Sequence, residues 1–250
     1  MRGTALVAAV VVVVLLTGSP AFAAPPVPGN PPPRVPADLI DLSAWKLTLP
    51  TGESGRPTEV LQPRLHSYTD EHFRLTERRD GVAFTADIDG VTTRNSSYPR
   101  SELREMRGAQ KASWSNTRGE HTLLLRAAIT EVPPRKPHVV AAQVHDGEDD
   151  VLQVRLEGRE LSVQWDDGRR KAVLDPDYRL GARFDLAIVA GGGTVRVAHD
   201  GRWRTTIDTS GTGWYFKAGS YVQSNERRGD ERGAVGEVVV YGLRVTHSDR

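Results

Sequence analysis

Between residues 45 and 246 apolar and polar residues alternate in short runs, each closed by glycine, aspartate or proline. Side chains on a strand point alternately to opposite faces, so a period of two gives strands with one face in a core and the other outside. Many such runs with turn residues between them specify an antiparallel sandwich or barrel, an all-β fold. The expected strands cover residues 45–49, 82–86, 101–106, 122–130, 139–145, 151–157, 161–165, 184–190, 194–199, 202–207, 214–223 and 235–246. Helical signals are short, the best lying at 58–67. Asp166-Asp167-Gly168, Gly191-Gly192-Gly193 and Asp200-Gly201 read as turns. The triple glycine lacks a P-loop lysine and the dinucleotide-binding spacing, and it joins two strands instead of opening a helix.

The chain begins as an export signal does, with Arg2, an apolar stretch from Ala5 to Leu16 and the small-residue pattern Ala21-Phe22-Ala23. That stretch is too short for a comfortable membrane span. Cleavage after Ala23 is expected, giving a secreted protein, or a periplasmic one if the source has an outer membrane. Residues 24–37 are proline-rich and read as an extended spacer, leaving 38–250 as one folded domain. There is no cysteine, so the exported domain is held by its core and not by disulfides. Lys and Arg number 33 against 32 Asp and Glu, so overall charge selects no partner. Without a basic tail or helix, nucleic acid is disfavoured. Nothing suggests a dedicated subunit interface, and a monomer is expected.

Three strands carry polar groups that a purely structural strand does not need. In residues 215–223, Tyr215, Lys217, Gly219, Tyr221 and Gln223 share one face, with Phe216, Ala218, Ser220 and Val222 opposite. Arg100, Glu102 and Arg104 share a face of a second strand, and Gln143 and His145 a face of a third. Each alone reads as a solvated strand face or a ladder of ion pairs. Their joint occurrence points instead to a cleft for an anion.

A uronic acid carries a carboxylate beside a C5–H bond, and removing that proton builds a second negative charge. An arginine and an amide on the carboxylate oxygens would disperse it, as an oxyanion hole does. Arg100 and Gln143 suit that task. His145 suits the base, because a neutral imidazole is available near pH 7. Tyr221 suits the acid that protonates the departing O4, and with Lys217 or Arg104 beside it could also act as base. Where the C5 proton lies on the side of the leaving oxygen, Tyr221 alone could do both; otherwise His145 and Tyr221 divide the work. The scheme needs no metal or other cofactor. The seven histidines show no metal-ligand spacing, and Asn95-Ser96-Ser97 is a weak glycosylation match.

These segments resemble the signature motifs of the alginate lyases of polysaccharide lyase family seven, Arg-Ser/Thr-Glu-Leu/Val-Arg, Gln-Ile/Val-His and Tyr-Phe-Lys-Ala-Gly-x-Tyr-x-Gln, in that order. Residues 42–50 look like that family's first strand. The resemblance implies a jelly-roll β-sandwich of two antiparallel sheets with a concave cleft. It also implies β-elimination on 1,4-linked uronate in an acidic polysaccharide, alginate, without a cofactor. It casts Arg100, Gln143, His145 and Tyr221 as catalytic, and Arg104, Lys217 and Gln223 as substrate contacts. Glu102 would orient the arginines, and Asn95 is a further contact on the preceding loop. Ser220 departs from the family's usual aliphatic residue, and Val144 in the second motif gives a slight lean to mannuronate blocks. The alternatives are a lyase on another polyuronate such as glucuronan and a noncatalytic carbohydrate-binding module on the same sandwich. A glycoside hydrolase usually needs paired carboxylates, and Glu102 and Glu105 alternate to opposite faces.

Overall fold

The computed structural model describes residues 32–248, so the expected leader and most of the spacer lie outside the described residues. In chain order the strands are β1 (Trp45–Glu53), β2 (Arg56–Val60), β3 (Phe73–Leu75), β4 (Val82–Asp87), β5 (Arg100–Arg107), β6 (Gln110–Lys111), β7 (Glu120–Glu131), β8 (His138–His145), β9 (Asp150–Glu157), β10 (Glu160–Trp165), β11 (Arg170–Asp175), β12 (Phe184–Gly191), β13 (Thr194–His199), β14 (Arg202–Asp208), β15 (Tyr215–Val222) and β16 (Val235–Ser248). They form two antiparallel sheets. One runs β11-β10-β9-β8-β15-β5-β1-β2, with β6 beside β5, and the other runs β14-β13-β12-β7-β16-β4-β3. The expected all-β sandwich is what the chain adopts.

The core lies between the sheets and follows from the period of two. Leu47, Leu103, Val144, Phe216 and Ala218 point inward from the first sheet to meet Phe84, Leu125, Ile188, Val238 and Val240 of the second, all almost wholly buried. Truncating one of the larger of these to alanine costs about 2–5 kcal/mol, because the neighbours close the hole only partly. Two inward-facing serines find partners across the gap. Ser220 Oγ donates to the Gly236 carbonyl at 2.7 Å and Ser101 Oγ to that of His72 at 2.7 Å. Ser220 thus faces away from the site and ties β15 to β16.

The segment at 58–67 is not one helix. Its first residues belong to β2, and only Arg64–Ser67 forms a short 3-10 turn, after Pro63. β2, β3, β6 and β11 lie outside the expected strands because strands at or near a sheet edge carry little apolar alternation. β11 is mostly exposed, and β2 contains Pro57, which an edge tolerates. The expected turns are real, with positive φ at Asp166, Asp167, Gly168, Gly192, Gly193, Asp200 and Gly201.

Candidate active site

β8, β15 and β5 are adjacent, and their register sets the polar residues side by side. Lys217 lies opposite Arg104 on one neighbour and Gln143 on the other, Tyr221 opposite Arg100, and Tyr215 opposite His145. A register shift between β15 and β8 falls between Ala218 and Tyr221, at Gly219 with φ +139°. Such a bulge re-aims the side chain that follows it, here Tyr221.

Glu102, 1% exposed, is the centre of this face. Its carboxylate accepts from Arg100 Nη1 at 3.2 Å, from Lys217 Nζ at 2.5 Å and from the Gln143 amide nitrogen. Burial alone would push this carboxyl up, but Lys217 and Arg100 outweigh it and hold it below its ordinary range. Burial, reinforced by Arg100 and opposed by Glu102, pushes the Lys217 ammonium down to about 8. One carboxylate therefore serves two cations, and the cluster keeps a positive charge for an incoming anion. Gln143 spends one amide hydrogen on Glu102 and has a second to offer.

The Arg100 guanidinium sits 3.8 Å from the centre of the Tyr221 ring. Tyr221 Oη is 3.0 Å from Ser96 Oγ. Ser96 donates its single hydroxyl hydrogen to the Tyr98 carbonyl at 3.0 Å and accepts from the Tyr98 N–H at 3.1 Å. With that hydrogen on the Tyr98 carbonyl, the phenol is the donor in its contact with Ser96. His145 Nδ1 lies 2.7 Å from the Asp146 carbonyl, which can only accept, so Nδ1 carries the proton and Nε2 the lone pair. Tyr215 stacks on this imidazole at 5.3 Å, its Oη 3.1 Å from Nδ1. Burial first and Lys217 second push His145 below its ordinary range, which keeps the ring neutral near pH 7.

Arg104 covers the Tyr215 ring at 3.8 Å and donates from Nη1 to the Glu105 carbonyl at 2.8 Å. Asn95, exposed on its loop, and Gln223, just past β15, line a groove of about 340 Å³ that starts at Tyr221 and crosses β9 and β10. Glu105 indeed turns away from Glu102. It accepts from Trp114 Nε1 at 3.0 Å and the Phe216 N–H at 2.9 Å, and faces His247 Nε2 at 2.8 Å.

The structure thus links Arg100, Glu102, Gln143, Lys217 and Tyr221 by direct contact, with His145 on the same face beside Tyr215. The sequence reading assigned no role to Tyr215 or Ser96. Tyr215 was visible as the first residue of the polar face, whereas nothing in a loop serine announces a phenol 125 residues away. Three loops close the Tyr221 end. Asp230 accepts from the Arg135 and Lys136 N–H groups at 2.7 and 3.0 Å, Asn225 Nδ2 donates to the Ser97 carbonyl at 3.0 Å, and Tyr98 Oη accepts from Lys136 Nζ at 3.1 Å and Arg228 Nε at 3.2 Å.

The alginate lyase family model matches residues 40–247. An alginate lyase from Corynebacterium sp. superposes with a TM-score of 0.84 at 44% identity, over 87% of this chain and all of that one. The alginate lyase AlgAT5 of polysaccharide lyase family 7 gives 0.83 at 48% identity, over 86% and 100%. An alginate lyase of Klebsiella pneumoniae is 26% identical over 88% of this chain and 94% of its own. With the match spanning nearly all of the sandwich and every strand that carries the site, the chain belongs to the alginate lyases of polysaccharide lyase family 7.

Proposed function

We propose that this lyase cuts 1,4-linked uronate in alginate by β-elimination, with a lean to mannuronate blocks, and leaves an unsaturated uronate at the new non-reducing end. Arg100 and the free amide hydrogen of Gln143 take the carboxylate, and Lys217 adds charge behind them. His145 Nε2 removes the C5 proton, the C4–O4 bond breaks as the C4–C5 double bond forms, and Tyr221 gives its proton to O4. Where proton and leaving oxygen share a side, as in mannuronate, Tyr221 serves both steps: its phenolic proton goes first to solvent, and the phenolate then takes the C5 proton and delivers it to O4; His145 is the base where they lie on opposite sides. Arg104, Gln223 and Asn95 contact neighbouring sugars, and Glu102 and Tyr215 hold the cations and the imidazole in place.

The observation that carries this reading is the pairing of protonation states: a phenol whose hydroxyl is already a donor, and an imidazole whose free lone pair is on Nε2. The lean to mannuronate rests on Val144 alone, which is fully buried and acts only through its neighbours Gln143 and His145. We also propose export after loss of residues 1–23 and action as a monomer, to be checked by the mature N-terminus and by light scattering.

Ultraviolet absorbance during incubation with alginate tests the reaction, because elimination creates a conjugated double bond and hydrolysis does not. Tyr221→Phe should bind the polymer and lose about 10²–10³ of turnover. Wild-type turnover in that variant removes the assigned acid. Comparing mannuronate-rich, guluronate-rich and glucuronan polymers settles the substrate.

A further inference from the structure

Glu105 points to the core side of β5, away from the site, and is 2% exposed. No lysine or arginine side chain pairs with it among the described residues. Its Oε2 accepts the N–H groups of Trp114 and Phe216, and its Oε1 lies 2.8 Å from His247 Nε2. The register of β16 on β7 sets His247 opposite His121, and the two Nδ1 atoms meet at 2.8 Å. His121 Nε2 ends the line, 3.0 Å from the Ser115 and Arg118 carbonyls. Trp114 stacks on the His121 ring at 4.3 Å.

These contacts need three hydrogens. A carbonyl can only accept, so His121 Nε2 carries the first. The meeting of the two Nδ1 atoms needs a second, and that of His247 Nε2 with Glu105 a third. Two neutral imidazoles and a carboxylate bring only two. The line therefore holds one proton more, and that proton offsets the buried Glu105 charge in place of a lysine or arginine. The count is the same whether the proton rests on an imidazole or on Glu105.

What Glu105 holds is the start of β15. The pairing of β5 with β15 ends at Arg104 and Lys217, and the Glu105 carboxylate takes the next N–H, that of Phe216. Phe216 stands between Tyr215, whose Oη is 3.1 Å from His145 Nδ1, and Lys217, which pairs with Glu102 at 2.5 Å. Arg100 and Gln143 lie on β5 and β8 and are held by Glu102. We propose that His121, His247 and Glu105 are positioning residues of this lyase: the proton they share keeps the buried carboxylate neutralised, so that it fixes Phe216 and, through it, Tyr215, His145 and Lys217. This rests on the roles proposed for Tyr215, His145 and Lys217, and adds what sets them from behind the sheet.

The test is a rescue cycle read by kcat, KM and thermal unfolding. His247→Phe keeps a ring beside Trp114 and strands the Glu105 carboxylate without its proton donor. On alginate its kcat should fall about tenfold with KM within about twofold, because the grip of Arg100 and Gln143 on the substrate does not pass through Phe216. Adding Glu105→Gln leaves an amide oxygen for the Trp114 and Phe216 N–H groups and no charge to offset, and should bring kcat back to within about threefold of wild type. Adding Glu105→Leu removes charge and acceptor together and should restore nothing. A packing role for His247 predicts no rescue by either. Wild-type kcat in His247→Phe, a Glu105→Gln double variant no faster than His247→Phe, or equal rescue by Glu105→Leu overturns the proposal. Should His247→Phe fail to fold, recovery of a folded, active protein with Glu105→Gln supports the proposal and continued failure overturns it. Melting temperatures, measured without substrate, should follow the same order as kcat. A wild-type protein that yields no unsaturated product from alginate therefore overturns the reaction assigned to the site, while unfolding still reads the shared proton.

Discussion

Glu102→Gln keeps the shape of the buried carboxyl and removes its charge. In the wild type, Arg100 and Lys217 share that single anion, and Lys217 already sits at about 8. Without Glu102 the influence that raises Lys217 is gone, and its value falls further. The buried cations then face a choice between mutual repulsion and loss of the Lys217 proton. Giving up that proton at pH 7 from a value of about 8 costs about 1.4 kcal/mol, one unit of titration. Weakened hydrogen bonds to the former carboxylate add about 1–2 kcal/mol. A loss of about 2–4 kcal/mol is expected, below the 3–5 kcal/mol of a broken buried pair whose survivor cannot neutralise. Activity falls more steeply. With Lys217 neutral and Arg100 no longer anchored, the carboxylate loses charge and geometry together, for about 10²–10³ in kcat/KM. Urea unfolding at several pH values and the absorbance assay measure both. Because the variant binds fewer protons at Lys217 when folded than when unfolded, its stability rises with pH already near neutrality. A variant within 1 kcal/mol of wild type, without that slope and with kcat/KM within threefold, refutes the account of the cluster.

In the wild type, Lys217 has a folded value below its unfolded one, so its contribution to stability is present above about 10.5 and lost as pH falls through about 8, whereas the charge it lends the site is present below about 8. Activity should therefore decline above pH 8 while this stability term grows between 8 and 10.5, and Lys217→Met should abolish that rise in a pH series of urea melts. Ser96→Ala removes the acceptor that holds the Tyr221 hydroxyl; kcat should fall about tenfold with KM little changed, and Ser96→Thr should restore most of it. Gly219→Ala places a Cβ 2.6 Å from the Ser101 carbonyl oxygen and 2.9 Å from Glu102 Cα in a backbone with φ +139°. It should cost about 1–3 kcal/mol, a drop of several degrees in Tm, and lower kcat by displacing Tyr221.

The alternation in the chain was enough to predict a sandwich, because inward and outward residues separate by a local rule that needs no partner strand. The same rule put Arg100, Glu102 and Arg104 on one face and Glu105 on the other, and the motifs in order carried the family. It failed where the rule has little to act on, at β2, β3, β6 and β11, whose edge positions demand no apolar face.

What one strand cannot specify is which strands stand beside it. β15 lies between β8 and β5, far from both in the chain, and that placement alone makes Glu102 the shared partner of Arg100, Lys217 and Gln143. The tautomer of His145, the donor role of Tyr221 and the hydrogens shared by His121, His247 and Glu105 also depend on hydrogen bonds and registers between distant segments. Local periodicity determined the faces of the strands; only the packing of the sheets, where buried charge must find its counter-charge, decided how those faces make a site.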